Sequence, residues 1–211
     1  PDSVVGTPVR SLGDDSESYR WNYELKNNRR RDDYAPIVAY TKLFSLSNHA
    51  FLEALPELVD VDRWLQGMGL ALLSGAGDQY GANSQHNGMF YQMPNGKFTY
   101  FPHDLDFAHN ASRSITEHTD LRKILRNPAS ERIYLAPLHD ILLTTFNERY
   151  MTRWAEHFGE LLPGQNFASH LRYIISRANS VQSQVRRDAP STAFSLQTPS
   201  DQRVDTTTIE L

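Results

Sequence analysis

Residues 59–75, VDVDRWLQGMGLALLSG, carry the strongest helical signal near the middle of the chain. Val61, Trp64, Leu65, Met68 and Leu72 recur at three- and four-residue spacing, which lines apolar side chains along one helix face, and Gly75 supplies a stop. The spacing predicts a core helix. Immediately after it, GMFYQMPNGKFTYF (88–101) changes period: two short aromatic-rich runs flank Pro94-Asn95-Gly96. Proline presets φ there and glycine is free to take positive φ, so the segment reads as a β-hairpin. A core helix running into a small hairpin, within a mostly helical pattern, points to an α+β chain that is mainly α.

Upstream, Ile37, Tyr40 and Phe44 share a stripe, with Asp32-Asp33 where a first helical turn favours acids. A second short helix is expected over Asn48–Leu58. Residues 1–20, rich in Ser, Asp, Gly and Pro, read as a surface segment or the tail of an upstream region. Downstream, Asn127-Pro128 reads as a cap followed by proline at the first helical position. It opens a helix with Leu135, Leu138, Leu142 and Phe146 on one face, which Pro137 should kink or end. The last helix carries Phe167, Leu171, Ile174, Ile175, Ala178, Val181 and Val185. Residues 21–188 form the main domain, and residues 189–211 read as a linker and the first strand of a following β domain. Aromatic residues such as Trp64, Phe90 and Trp154 fall on apolar faces and are expected in the core.

The 211 residues suffice for one principal core. A net charge of −4 gives no general attraction to nucleic acid or anionic membrane. The absence of cysteine excludes disulfides, thiolate zinc sites and thiol nucleophiles. No apolar run approaches the roughly 18 residues of a membrane span. The chain opens on Pro1 with no signal-like block, so it is expected to be a piece of a longer protein.

The chemistry gathers between Asp78 and Asp106. Asp78 lies in a Gly-rich loop after the core helix, Asn87 at the foot of the hairpin, and Asp104 and Asp106 follow its second strand in FTYFPHDLDFAHN (98–110). Such oxygen ligands suit Mg²⁺, which takes few protein oxygens and leaves positions for phosphate and water. They also suit phosphoryl transfer, where one loop Asp faces the acceptor hydroxyl while an Asn and a second Asp hold metal. The same residues equally serve as turn and cap formers, and spacing alone does not separate the two readings.

The stretch from Leu58 to Ala108 resembles the central block of the CotH kinase family, the spore-coat protein H-like atypical kinases. The shared features come in order: a VDVD helix start, a loop Asp, an Asn before an aromatic strand, a GK hairpin turn, and PHDLD in place of a PWDxD signature. YRWNYELKNN upstream and ILRNPASERIYLAPLHDILLTTF downstream extend the likeness more loosely. The resemblance implies a kinase-like large lobe, with the small lobe outside this chain. It also implies ATP- and divalent-metal-dependent (Mg²⁺ or Mn²⁺) phosphorylation of Ser or Thr on exported, surface or spore-coat proteins. Carried over, Asp78 is the catalytic Asp, Asn87 and Asp104 hold metal, and Asp106 is a further or alternate ligand. His103 stands where the family has Trp, beside the nucleotide. No GxGxxG occurs, and Lys26 with Glu24 in YELKNN is the one candidate considered for a phosphate-binding lysine.

Other classes remain open on the residues. His103, Asp104, Asp106 and His109, with His86 and His118 in reserve, would suit a metal-dependent phosphohydrolase. A pseudokinase, or a structural coat or adhesin-like surface module, would keep the fold without turnover. His139, His157 and His170 read as structural or exposed. Arg29-Arg30-Arg31 reads as a phosphate or acidic-peptide contact or as a solvated face.

Overall fold

The computed structural model describes residues 9–82 and 86–189. Its frame is a helix, α4 (Val61–Ser74), laid against a two-stranded antiparallel sheet of β1 (Gly88–Gln92) and β2 (Phe98–Pro102). The side chain of Asp60 caps α4 by accepting from the Arg63 N–H at 3.1 Å, and Gly75 ends it in the left-handed region at φ +67°. Trp64, Leu65, Met68 and Leu72 are buried as their spacing requires, with Val61 at the margin. The indole Nε1 of Trp64 donates to the Tyr40 hydroxyl at 2.8 Å, so this large side chain brings no unpaired donor into the core.

The hairpin pairs Gly88 with Pro102 and Gln92 with Phe98. Its turn closes through Gly96 N–H to the Met93 carbonyl at 2.9 Å, with Gly96 at φ +84°. Phe98 and Tyr100 face inward and are buried, whereas Phe101 and Tyr91 are exposed, as alternation along a strand dictates. β2 approaches α4 so closely that a Cβ on Gly67 would lie 2.3 Å from the Tyr100 carbonyl oxygen. The chain also enters α4 already bonded to β2, Asp60 N–H donating to Phe98 O at 2.8 Å.

On the N-terminal side lie α1 (Ser16–Arg20), α2 (Ala35–Ser45) and α3 (Asn48–Leu58), the last with the expected bounds. Helix α2 begins later than its acids implied. Asp33 accepts from the Ala35 N–H at 3.0 Å, and Asp32 sits outside the helix at φ +49°, paired with Arg20. The segment read as a surface stretch is anchored by Val9 and Tyr19, both buried; the Tyr19 hydroxyl accepts from Leu12 N–H and donates to Gly13 O. The strand expected after residue 189 lies outside the described residues.

On the C-terminal side come α5 (Thr119–Ile124), α6 (Pro128–Thr144), α7 (Glu148–Leu161) and α8 (Phe167–Asp188). Asn127 caps α6 with Pro128 in its first turn, as read. Pro137 does not end the helix: α6 continues to Thr144, because Tyr134, Leu135 and Leu138 on either side of it are held in the core against α4. Phe146, expected on the same face, falls past the helix end and is partly buried. Trp64 is in the core and Phe90 packs partly buried on Tyr40 and Tyr80. Trp154 is not in the core. Helix α7 has no buried residue, and Trp154 instead stacks on Phe158 at 5.9 Å along the helix surface.

Candidate active site

Asp78 is presented by the loop that leaves α4. The residue after it holds that loop down: Gln79 is fully buried, its Nε2 donating to the Ala71 carbonyl at 2.8 Å. Asn87 reaches back from the foot of β1, its Nδ2 donating to the Asp78 carbonyl at 3.1 Å and to Asp78 Oδ2 at 3.3 Å. The second carboxylate oxygen, Oδ1, is buried and has no hydrogen-bond partner among the described residues. A buried acceptor left in this state is unusual in a folded protein and marks a place for a water or a ligand group.

The second arm of the site is tied to the first. His103 N–H donates to the Asn87 carbonyl at 3.1 Å, so Asp104 leaves β2 beside Asn87. Asp104 and Asp106 are exposed, and the chain between them and His109 turns through Ala108 N–H to Leu105 O at 2.9 Å. It then returns to the end of α4, His109 N–H donating to Ser74 O at 2.8 Å and Ala111 N–H to Gly75 O at 2.9 Å. Five non-glycine residues among those described have positive φ, and three of them, Asn87, Asp104 and His109, bracket this site. Backbone of that kind concentrates where tertiary contacts dictate a geometry that local preference resists. The site also lies at the C-terminal end of α4, the helix end whose partial negative charge favours a cation.

A family model described as CotH kinase protein matches residues 7–206. The chain belongs to the CotH kinase family. No curated protein matches it.

Within this CotH-family chain, Asp78 and Asn87 therefore meet side chain to side chain, and Asp104 joins them through the backbone bond of His103. The set fits a divalent cation chemically. Asn87 commits its amide nitrogen to Asp78, which leaves the amide oxygen as the ligand atom, and Asp104 adds an exposed carboxylate. Among the described residues no three His, Asp or Glu side chains converge as a self-sufficient metal cage.

The phosphohydrolase set of His103, Asp104, Asp106 and His109 is not gathered. His109 turns away to α8, its ring 5.2 Å from that of His170 and 5.3 Å from that of Tyr173, and burial followed by the His170 charge lowers its pKa. His118, held in reserve as a ligand, is buried against Tyr80 with ring centroids 4.4 Å apart, and burial pushes its pKa down to about 4. Lys26 pairs with Glu24 at 2.7 Å, both more than half exposed, and Arg29 bonds the same Glu24, which leaves both cations on a solvated surface.

Two residues that sequence reasoning passed over belong to the surroundings of the site. Asp120, at the start of α5, accepts from the hydroxyl of Tyr80, two residues after Asp78, and burial pushes its carboxyl up to about 6. An Asp in a first helical turn is so ordinary that nothing in the sequence marks it as buried. Arg177 of α8 is 1% exposed, and its pKa is lowered by burial. Its place on the apolar face between Ile174 and Val181 was the available signal.

Proposed function

We propose that this chain is the kinase-like large lobe of an atypical Ser/Thr protein kinase that uses ATP and Mg²⁺ or Mn²⁺, acting on exported or surface proteins outside the cytoplasm. The observation that supports it most is the Asp78–Asn87 pair. One carboxylate oxygen is held by the amide, and the other is kept out of solvent with no hydrogen-bond partner among the described residues. An acceptor Ser or Thr hydroxyl bonded to that oxygen would be oriented toward the γ-phosphorus and pass its proton to Asp78 as the new P–O bond forms and the bond from the γ-phosphorus to the β,γ-bridging oxygen breaks, releasing ADP. Asn87 and Asp104 would hold the metal, which when bound neutralises charge on the phosphates. Asn87 thus serves twice, fixing the rotamer of the base with its nitrogen and offering its oxygen to the cation. His103 and the exposed Asp106 border the nucleotide side of this arrangement.

The test is transfer of labelled γ-phosphate from ATP to a Ser/Thr protein by the full-length protein, together with calorimetric titration of ATP with and without Mg²⁺ or Mn²⁺. Asp78→Asn is expected to lower transfer by about 100-fold or more, the range for loss of a positioned base, with metal-dependent ATP binding retained. Asp104→Asn is expected to abolish that binding. Normal transfer by either variant removes the role given to that residue, and ATP binding without any transfer by the wild type would make the protein a pseudokinase.

A further inference from the structure

Helix α8 does more than cover the core. His170, Tyr173, Arg177 and Gln184 fall along one side of it and meet every second residue of the segment that returns from the site. The ring of His170 lies against His109, Tyr173 OH donates to Ala111 O at 2.7 Å, Arg177 NH1 donates to Arg113 O at 2.5 Å, and Gln184 Oε1 accepts from Ile115 N–H at 2.9 Å. The lengths agree. From His170 to Gln184 a helix rises about 21 Å at about 1.5 Å per residue, and an extended chain from His109 to Ile115 covers about 20 Å at about 3.3 Å per residue.

Arg177, inside this row, also bonds α4, NH2 donating to the Leu72 carbonyl at 2.6 Å. Leu72 lies in the last turn of α4, three residues before Gly75 and six before Asp78. One guanidinium therefore grips both chain segments that lead to the site, the end of the helix that presents Asp78 and the segment that presents Asp104 and Asp106. Among the described residues no carboxylate forms an ion pair with it, and its hydrogen bonds go to backbone carbonyls. Tyr173, one turn earlier, seats on the same junction: a Cβ on Gly75 would fall 1.8 Å from its hydroxyl.

We propose that Arg177 is a positioning residue for phosphoryl transfer, setting the distance between the Asp78 arm and the Asp104 arm of the site; this rests on the function proposed above. The guanidinium suits the task because its planar fork spans two carbonyls at once, which an ammonium cannot do with the same geometry.

The experiment compares wild type, Arg177→Lys, Arg177→Gln and the milder Tyr173→Phe in the full-length protein. Amide hydrogen exchange is read at His109 and Ala111, whose N–H groups bond the end of α4, with Met68 in the middle of α4 as the internal reference. Arg177→Gln is expected to speed exchange at His109 and Ala111 by about tenfold or more relative to Met68. The Mn²⁺ concentration for half-maximal transfer should rise several-fold while the KM for the protein acceptor stays put. Arg177→Lys should recover part of both effects, and Tyr173→Phe should show a smaller change in the same direction. Exchange at His109 and Ala111 that tracks Met68 in every variant overturns the proposal, as does a loss of transfer that moves the acceptor KM and not the Mn²⁺ dependence. If the wild type transfers no phosphate, the functional reading fails, and the positioning role falls with it whatever the exchange rates show.

Discussion

Replacing Asp120 by asparagine separates two buried groups whose titrations oppose each other. Burial raises the Asp120 carboxyl from 3.8 to about 6, outweighing the opposing pull of the Tyr80 hydroxyl and Lys123. A carboxyl raised on folding contributes its stability fully below the unfolded pKa and loses it as pH rises through the folded one. At about 1.4 kcal/mol per pH unit, the loss between 3.8 and about 6 comes to about 3 kcal/mol. His118 runs the other way. Burial, reinforced by Arg122 and opposed by Glu117, lowers its pKa from 6.5 to about 4, and its Nδ1 has no hydrogen-bond partner among the described residues. Its contribution is present above 6.5 and disappears as pH falls through about 4, again a change of about 3 kcal/mol. In the wild type the two slopes nearly cancel over this window. Asp120→Asn keeps an oxygen for the Tyr80 hydroxyl and removes one slope. The variant should match the wild type near pH 4, exceed it by about 3 kcal/mol near pH 7.5, and lose stability toward acid as His118 dictates. Urea unfolding followed by tryptophan fluorescence across that range measures it. A difference between the two proteins that does not change with pH would refute the assignment of Asp120 as the titrating group.

Two further outcomes follow from the frame. Gly67→Ala improves helix propensity by about 1 kcal/mol, yet its Cβ meets the Tyr100 carbonyl at 2.3 Å. The net effect should be a loss of about 2 kcal/mol in thermal unfolding as β2 is pushed off α4, and a more stable variant would show that the contact yields freely. Asn127→Ala removes the cap at the start of α6, where Oδ1 accepts from Ala129 N–H at 3.0 Å. It should cost about 1 kcal/mol in the same assay, and an unchanged midpoint would mean that Pro128 alone secures that end.

What was legible in the sequence was what short-range rules govern. The limits of α4 follow from its apolar stripe and Gly75, the hairpin from Pro94-Asn95-Gly96, and the start of α6 from Asn127-Pro128. Asp78 and Asn87 could be singled out as oxygen ligands, but their direct bond depends on how β1 docks against the loop after α4. The path of residues 103–111 was invisible, because the N–H of His103 ties it to Asn87 and those of His109 and Ala111 return it to the end of α4, and backbone groups carry no residue signature. The same blindness let His109 pass as a metal ligand when its ring belongs to α8. Pro137 misled in the opposite sense: a local rule predicts interruption, and the burial of Tyr134, Leu135 and Leu138 overrides it.

The chemistry of the grip on α4 has a consequence for the conditions the site tolerates. Carbonyl oxygens do not take up protons in the acid range that extinguishes carboxylates, and a guanidinium stays charged across it. The bonds from Arg177 to Leu72 and Arg113, and from Tyr173 to Ala111, thus have no acid end point of their own. The bond to Leu72 is buried and the other two are partly so, which screens them less than exposed pairs such as Lys26 with Glu24. These particular bonds therefore set no acid limit on the alignment of α4 with the returning segment.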